Sequence, residues 1–280
     1  MKSPEYILHG TSSEEDAQKI EEEGFDAKEG RSTVSTDLLM AFNWSSDTGK
    51  RKASKSESEV EESEKGRILI MRVPEGVSAD YGDDTSIDIG ESRKEVSGFV
   101  SRYENNRRYL ALYSDFEKES QGINVGKENI LMSIVPSSEL EDTLDELKKT
   151  IKKLEKIDID YFVDEIIKVV KSNPKNYVVE GEDISEIIHS LVVSTIESEV
   201  IRQIRTLSID IKRANGYNIY NKGENVTRER LVEKDRLKGA LEKVVSIVDG
   251  ENFDLGLENL NRYIKFNAHK LLKDLEDKTP

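Results

Sequence analysis

The chain has no cysteine, and it has only three histidines, five prolines and one tryptophan among its 280 residues. Without cysteine it forms no disulfide, offers no thiolate nucleophile and binds no cysteine-ligated zinc, which fits a reducing compartment. No stretch approaches the roughly 20 apolar residues of a membrane-spanning helix, and no long apolar run follows the N-terminal residues. We therefore expect a soluble, cytoplasmic protein with no membrane partner.

Several common catalytic and metal-binding patterns are also missing. The three histidines, His9, His189 and His269, lie in different segments and form no i, i+4 pair, so we expect no metal site. The sequence contains none of the glycine patterns of P-loop, Rossmann or serine-hydrolase sites. The functional signal must therefore lie in other motifs.

Charge is abundant and unevenly distributed. Charged residues supply 35% of the chain, apolar residues another 35%, and the formal net charge is −15. This balance argues against attraction of the whole surface to nucleic acid or to an anionic membrane. Residues 202–238 differ, because they hold ten Lys or Arg against five Asp or Glu. Two interpretations of this basic segment stay open: contact with a nucleic-acid backbone, helped by stacking of Tyr217 and Tyr220, or a solvated pair of helices.

Up to about Leu140, the hydrophobic pattern is that of a strand-containing domain. Short apolar runs are separated by Gly, Ser and Asp, and the clearest strands cover residues 6–8, 67–73 and 129–135. A helix is predicted between an N-cap at Ser12 or Ser13 and a stop at Gly24.

The other segments of the sequence predict a loop and a set of helices. A short helix is predicted from Leu38 to Trp44, and residues 45–65, almost without apolar side chains, are predicted to form a flexible loop. From Leu140 onward the apolar residues recur with the 3.6-residue period of helices. The predicted helices begin near Leu140 and then cover residues 161–171, 184–213, 228–248 and 255–275. We expect an α+β protein with one domain over residues 1–140 and an α-helical bundle over residues 141–280.

Three motifs in the first half carry the functional signal. They are His9-Gly10-Thr11 after a strand, Val34-Ser35-Thr36-Asp37 followed by Ala41-Phe42-Asn43-Trp44, and Lys127-Glu128-Asn129 before a strand. In this order and spacing they resemble the diphtheria-toxin-like and poly(ADP-ribose)-polymerase-like ADP-ribosyltransferases. The segment from Ala17 to Phe25 resembles the helix and turn that follow the histidine strand in that family. The resemblance covers roughly residues 5–140 and implies a split, mixed β-sheet that binds NAD as a substrate, without a metal.

The resemblance also implies a role for each motif. Glu128 would stabilise the positive charge that develops on the ribose as the nicotinamide bond breaks. His9 would bind the adenosine ribose, the backbone of Gly10 would hold the nicotinamide amide, and Trp44 would stack on the nicotinamide ring. The remaining cofactor-binding positions would be Thr11, Val34, Ser35 and Thr36.

Two positions depart from the family pattern. Val34 stands where the family has a tyrosine, so one wall of the nicotinamide site would be aliphatic. Gly126 stands where the arginine-modifying branch has a second glutamate, which argues against arginine modification. Ser35, Thr36 and Asp37 are also suited to cap the helix that starts at Leu38, and capping is compatible with a role at the site.

The implied activity is mono-ADP-ribosyl transfer from NAD to a protein or nucleic-acid acceptor, with residues 141–280 recognising the acceptor or a regulatory partner. Two alternatives stay open. RNA 2'-phosphotransferases share the NAD-binding fold and a His-Gly-Thr motif but rely on arginines around a phosphate, here sought among Arg31, Arg67, Arg72, Arg93, Arg102, Arg107 and Arg108. The substitution at Val34 also motivates a non-catalytic interaction module.

Overall fold

The computed structural model describes residues 5–11, 13–25, 34–53, 66–74, 77–81, 110–114, 125–214, 227–251 and 253–276. These residues form both strands and helices, and helices predominate. The expected α+β class is therefore confirmed at this level. None of the helices in these ranges is long and apolar enough to cross a membrane.

Six strands are described: β1 (Tyr6–Gly10), β2 (Ile68–Arg72), β3 (Val77–Tyr81), β4 (Leu110–Ser114), β5 (Ile130–Ile134) and β6 (Tyr177–Val178). One sheet has the order β1-β2-β5-β6, and β3 pairs with β4 in a second sheet. Every pairing in these strands is antiparallel, where a mixed sheet was expected. The three strands predicted from the sequence are present, whereas β3, β4 and β6 were not predicted. The two residues of β6 are too few to carry an alternating pattern.

Seven α-helices lie in the described ranges: α1 (Glu14–Glu23), α2 (Leu38–Ala53), α3 (Ser138–Lys153), α4 (Ile159–Ser172), α5 (Ile184–Ala214), α6 (Thr227–Val248) and α7 (Glu258–Glu276). The ends of α1 follow the sequence signals. Ser13 Oγ accepts a hydrogen bond from the Asp16 amide at 3.1 Å. Gly24 has φ of +93° and its amide donates to the Ile20 carbonyl at 2.8 Å.

Helix α2 is longer than predicted. It continues to Ala53, so the expected loop does not begin at residue 45; residues 54–65 of that loop lie outside the described ranges. Ser45 is buried and its hydroxyl donates to the Phe42 carbonyl at 2.9 Å. The Ser46 hydroxyl donates in the same way to Asn43 at 3.4 Å. Both hydroxyls thus find acceptors in the preceding turn, in a part of the helix where no apolar pattern remains.

The chain forms two compact units. The first contains Met1–Leu147 and Ile159–Ser198, and the second contains Lys148–Asp158 and Glu199–Pro280. This division differs from a boundary after residue 140, because α4 and the first part of α5 belong with the N-terminal strands. Each unit is described separately below.

The four-stranded sheet of the first unit is covered on both faces. On one face an apolar cluster packs beneath α1, and it consists of Ile7, Phe25, Val34, Leu69, Met71, Val125 and Ile130, with Ile20 and Val73 at its edge. Side chains alternate across a strand, so Leu8 and Gly10 point to the opposite face. Helix α2 contacts β1 there. The end of β1, which carries the His9 motif, is thus held between two layers of helices.

Candidate functional site

The first two motifs lie side by side. The Leu8 amide donates to the Ser35 carbonyl at 2.6 Å, and the Ser35 amide donates back to Leu8 at 2.9 Å. Because β1 pairs with β2 on its other edge, this bridge places the Ser35-Thr36-Asp37 segment along the remaining edge of β1. The His9-Gly10-Thr11 motif therefore begins one residue beyond the bridge.

The Ser35-Thr36-Asp37 segment caps α2, as its composition suggested. Asp37 Oδ1 accepts from the amides of Leu39 at 2.9 Å and Met40 at 3.4 Å. The Ser35 hydroxyl accepts from the Asp37 amide at 3.0 Å. The first amide of the helix, that of Leu38, donates at 2.8 Å to the hydroxyl of Thr195 on α5. Sequence reasoning missed Thr195, since nothing local to it indicates a partner 157 positions away.

Gly10 is where β1 and α2 meet. A Cβ added at Gly10 would lie 2.6 Å from the Ala41 carbonyl oxygen and 2.7 Å from Trp44 Cβ. The glycine is therefore required for the close packing of α2 against β1. The same close approach sets Trp44, the only tryptophan of the chain, beside the His9 motif.

Thr11 and Arg67 extend the pairing of β1 and β2 past the strand ends. The Thr11 amide donates to the Arg67 carbonyl at 2.8 Å, and the Arg67 amide donates to the Thr11 hydroxyl at 2.7 Å. Thr11 is 2% exposed. Its hydroxyl is engaged with the backbone, so Thr11 positions the motif rather than offering a surface to a cofactor.

The guanidinium of Arg67 joins several elements below this end of the sheet. It donates to Glu14 on α1 at 2.6 Å, to Ser133 on β5 at 3.2 Å and to the Lys175 carbonyl at 2.9 Å. Arg67 is buried. Its three partners come from distant parts of the sequence, so the spacing of residues around Arg67 gave no indication of this role.

Phe25 connects His9 with the segment that leads to Glu128. The rings of His9 and Phe25 have centroids 4.7 Å apart and planes inclined at 51°. The amides of Phe25 and Val125 each donate to the other's carbonyl at 2.8 Å. Phe25 is buried and His9 is half-buried. Phe25 lies in the segment that resembles the helix and turn of the family, but nothing in the sequence indicated its contact with His9.

Glu128 lies in a single 3₁₀ turn, Lys127–Asn129, that precedes β5, rather than on the strand itself. Its side chain is exposed, and its Oε1 accepts from the Asn129 side-chain amide at 3.3 Å. A side chain at Gly126 would collide with this carboxylate. Gly126 therefore permits the conformation in which Glu128 folds back over its own turn.

His9 and Glu128 lie too far apart to contact each other directly. Strands β1 and β5 both pair with β2, which puts them two strand spacings, about 10 Å, apart. His9 is opposite Leu69 and Ile130 is opposite Met71, which displaces Ile130 by about 7 Å along the strands. Glu128 lies in the turn two residues before Ile130, outside this paired register. Only an extended ligand would reach both side chains.

The eight predicted site residues divide into two groups by exposure. His9, Gly10 and Trp44 are half-buried and Glu128 is exposed, whereas Thr11, Val34, Ser35 and Thr36 are buried. Val34 is 1% exposed and packs in the apolar cluster with Ile7 and Phe25. We expected Val34 to line the cleft, but the segment turns the aliphatic side chain of Val34 into the core.

Of the arginines considered for the 2'-phosphotransferase alternative, the two that are described, Arg67 and Arg72, are held in ion pairs. Arg67 binds Glu14, and Arg72 Nη2 lies 2.8 Å from Glu182 Oε2, a hydrogen bond that raises the pKa of Arg72. Arg31, Arg93, Arg102, Arg107 and Arg108 lie outside the described residues. The described part of the chain thus adds no support to the 2'-phosphotransferase alternative.

The basic segment over residues 202–238 is described in part, since Tyr217 and Tyr220 lie outside the described ranges. Arg202 pairs with Glu199, and Lys238 lies 3.2 Å from Glu276 and 4.0 Å from Glu242. Carboxylates outside the segment therefore offset some of its positive charge.

Comparisons of the chain with protein-family models, curated proteins and solved structures find no match.

Proposed function

We propose that the protein transfers ADP-ribose from NAD to a macromolecular acceptor and releases nicotinamide. The observation that carries the proposal is the shared neighbourhood of the three motifs. Ser35 pairs with β1, Gly10 contacts α2 at Trp44, and Phe25 links His9 to the strand segment before Glu128. These contacts make the three motifs neighbours in the fold although they are far apart in sequence.

The separation of His9 and Glu128 fits the roles that the resemblance implies. NAD has two riboses, and His9 would bind the adenosine ribose while Glu128 acts at the nicotinamide ribose. Cleavage of the nicotinamide bond develops positive charge on that ribose, which the Glu128 carboxylate would stabilise. Trp44 would supply the aromatic surface against the nicotinamide. No metal takes part in this scheme.

The acceptor-recognition part of the proposal concerns the helical half. The ADP-ribosyltransferase-type domain was assigned to residues 1–140 and recognition of an acceptor or regulator to residues 141–280. Because α4 and part of α5 belong to the first compact unit, we assign recognition to the second unit, Lys148–Asp158 with Glu199–Pro280.

A second candidate function is a non-catalytic module of the same fold. The burial of Val34 favours it, because the aromatic wall that the family places at this position is replaced by a core residue. Calorimetry separates the candidates: a protein that binds no NAD but holds a stoichiometric protein partner would be such a module.

The catalytic proposal is tested by NAD binding and nicotinamide release in matched variants. His9→Ala should weaken NAD binding, whereas the same change at the exposed His189 should not. Glu128→Ala should leave binding nearly unchanged but lower the rate of nicotinamide release at least about 100-fold, the scale of losing a charge-stabilising group. Glu15→Ala, on the exposed side of α1, is the control. Equal release by wild type and Glu128→Ala would overturn the proposal.

A further inference from the structure

The two compact units carry opposite charge. The second unit has 21 Lys or Arg and 16 Asp or Glu, a formal charge of +5. The first unit has 21 Lys or Arg and 41 Asp or Glu, a formal charge of −20. The surplus comes from residues 148–158 and 202–238, whereas residues 239–280, which contain α7, hold six Lys or Arg and eight Asp or Glu. Only the local arrangement of charge along α7 therefore favours a polyanionic partner there.

Helix α7 of this unit has one apolar and one basic face. The apolar face is buried and consists of Leu260, Ile264, Ala268, Leu271 and Leu275. The exposed residues on the opposite side include Arg262, Phe266, His269, Lys270 and Lys273, with Glu258 and Glu276 at its two ends. Phe266 is 68% exposed, the most of the large apolar side chains described, and Tyr263, one turn before it, is 36% exposed. An aromatic ring thus stands outward among cationic side chains.

Two of the basic side chains on this face lie next to acidic partners. Arg262 pairs with Glu258, and His269 lies 3.1 Å from Asp249. Lys270 and Lys273 follow Phe266 by one and two turns. Both lysines lie where the next groups of a ligand that stacks on the Phe266 ring would run along the helix.

The composition of the face decides among anionic partners. A membrane-bound helix inserts a continuous apolar face, and a helical protein partner needs apolar anchors at i, i+3, i+4 and i+7. The outward side of α7 has one strongly exposed ring, Phe266, with Lys270 and Lys273 one and two turns after it, and the apolar stripe of the helix is already buried. Single-stranded nucleic acid needs this combination, because bases stack on aromatic rings and phosphates bind Lys and Arg.

We propose that the outward face of α7 binds single-stranded nucleic acid, with Phe266 stacking on a base and Lys270 and Lys273 contacting the backbone phosphates. Tyr263 lies one turn from Phe266 and would take a neighbouring base. The proposal does not depend on the NAD chemistry, because all its residues belong to the second unit. This face is also distinct in sequence from the basic segment over residues 202–238.

The test is fluorescence anisotropy of the full chain with labelled oligothymidine and oligouridine over a range of salt concentrations. Phe266→Ala should weaken binding roughly 5- to 150-fold, the range of one lost base stack. Replacing both Lys270 and Lys273 by Gln should reduce the steepness of log affinity against log salt by about 1.4, since each phosphate contact on a single strand contributes about 0.7. The matched controls are Tyr161→Ala and Lys168→Gln, which remove an exposed ring and an exposed charge from the acidic unit. Circular dichroism verifies the fold of each variant.

Three results would overturn the proposal. One is no binding of either oligonucleotide by the wild type at low salt. Another is binding that Phe266→Ala leaves unchanged and that polyglutamate matches, which would indicate a general polyanion surface. The third is Phe266-dependent binding to vesicles of phosphatidylcholine and phosphatidylserine without oligonucleotide binding, which would indicate a membrane surface.

Discussion

The Leu38 amide, at the start of α2, donates a hydrogen bond at 2.8 Å to the hydroxyl of Thr195 on α5, and both residues belong to the first unit. Both residues are buried, so neither group has water as a substitute. Thr195 in turn donates to the Leu191 carbonyl at 2.8 Å. The helix that carries Trp44 is therefore capped from α5 as well as by its own Asp37.

Thr195→Val should destabilise the first unit by about 1–3 kcal/mol, because it leaves the Leu38 amide buried without an acceptor. Thr195→Ser keeps the hydroxyl and should recover most of the loss. Urea unfolding followed by the fluorescence of Trp44 measures both variants, since Trp44 is the only tryptophan. Equal stability of Thr195→Val and wild type would contradict the capping role.

Gly10→Ala should destabilise the protein by about 1–3 kcal/mol, because the added Cβ would meet the Ala41 carbonyl and Trp44 Cβ and push α2 from β1. The matched change Gly239→Ala introduces a Cβ with no atom within 4 Å. In the interior of α6 it should instead stabilise by roughly 0.5–1 kcal/mol. Thermal unfolding compares the two. An equal change in stability from both substitutions would contradict the close packing at Gly10.

Arg67→Met should cost about 3–5 kcal/mol of unfolding free energy, the usual result of removing one partner of a buried ion pair. Glu14, Ser133 and the Lys175 carbonyl would all lose their donor. Glu14→Gln removes only one charge at a more exposed position and should cost less than about 1 kcal/mol. Chemical denaturation would contradict this assignment if the two variants were equally stable.

Asp249 should titrate below its ordinary value. Hydrogen bonds from His269 and Lys265, the latter at 3.1 Å, lower the pKa of its carboxyl from 3.8. A carboxyl with a lowered folded-state pKa stabilises the fold above its unfolded pKa, and this contribution is lost as the pH falls from about 3.8 through the folded value. Carbon NMR of the carboxyl should show its pKa rising in His269→Gln. A pKa unchanged by that substitution would contradict the pairing.

Local signals in the sequence predicted the ends of α1 and the main strands. Ser13 and Gly24 act through bonds to residues within four positions, so their neighbours in sequence determine the outcome. The contacts of Arg67 with Ser133 and of Leu38 with Thr195 depend on how distant elements pack. No periodicity encodes such partners, and for this reason the sequence indicated the motifs but not their supports.

The residues of the candidate site also divide into those that the sequence indicated and those whose role depends on packing. The motif pattern identified His9 and Trp44, which are partly exposed, and Glu128, which is exposed. It also selected Thr11 and Val34, whose side chains the fold uses for backbone pairing and for the core. A motif specifies residue types along the chain, whereas the direction of each side chain depends on the sheet and helices around it.

The central claim is tested most directly by incubating the protein with radiolabelled NAD and a cell lysate and measuring label in the macromolecular fraction. Wild type and Glu15→Ala should transfer label, and Glu128→Ala should not. No transfer by the wild type, or equal transfer by Glu128→Ala, would contradict the account.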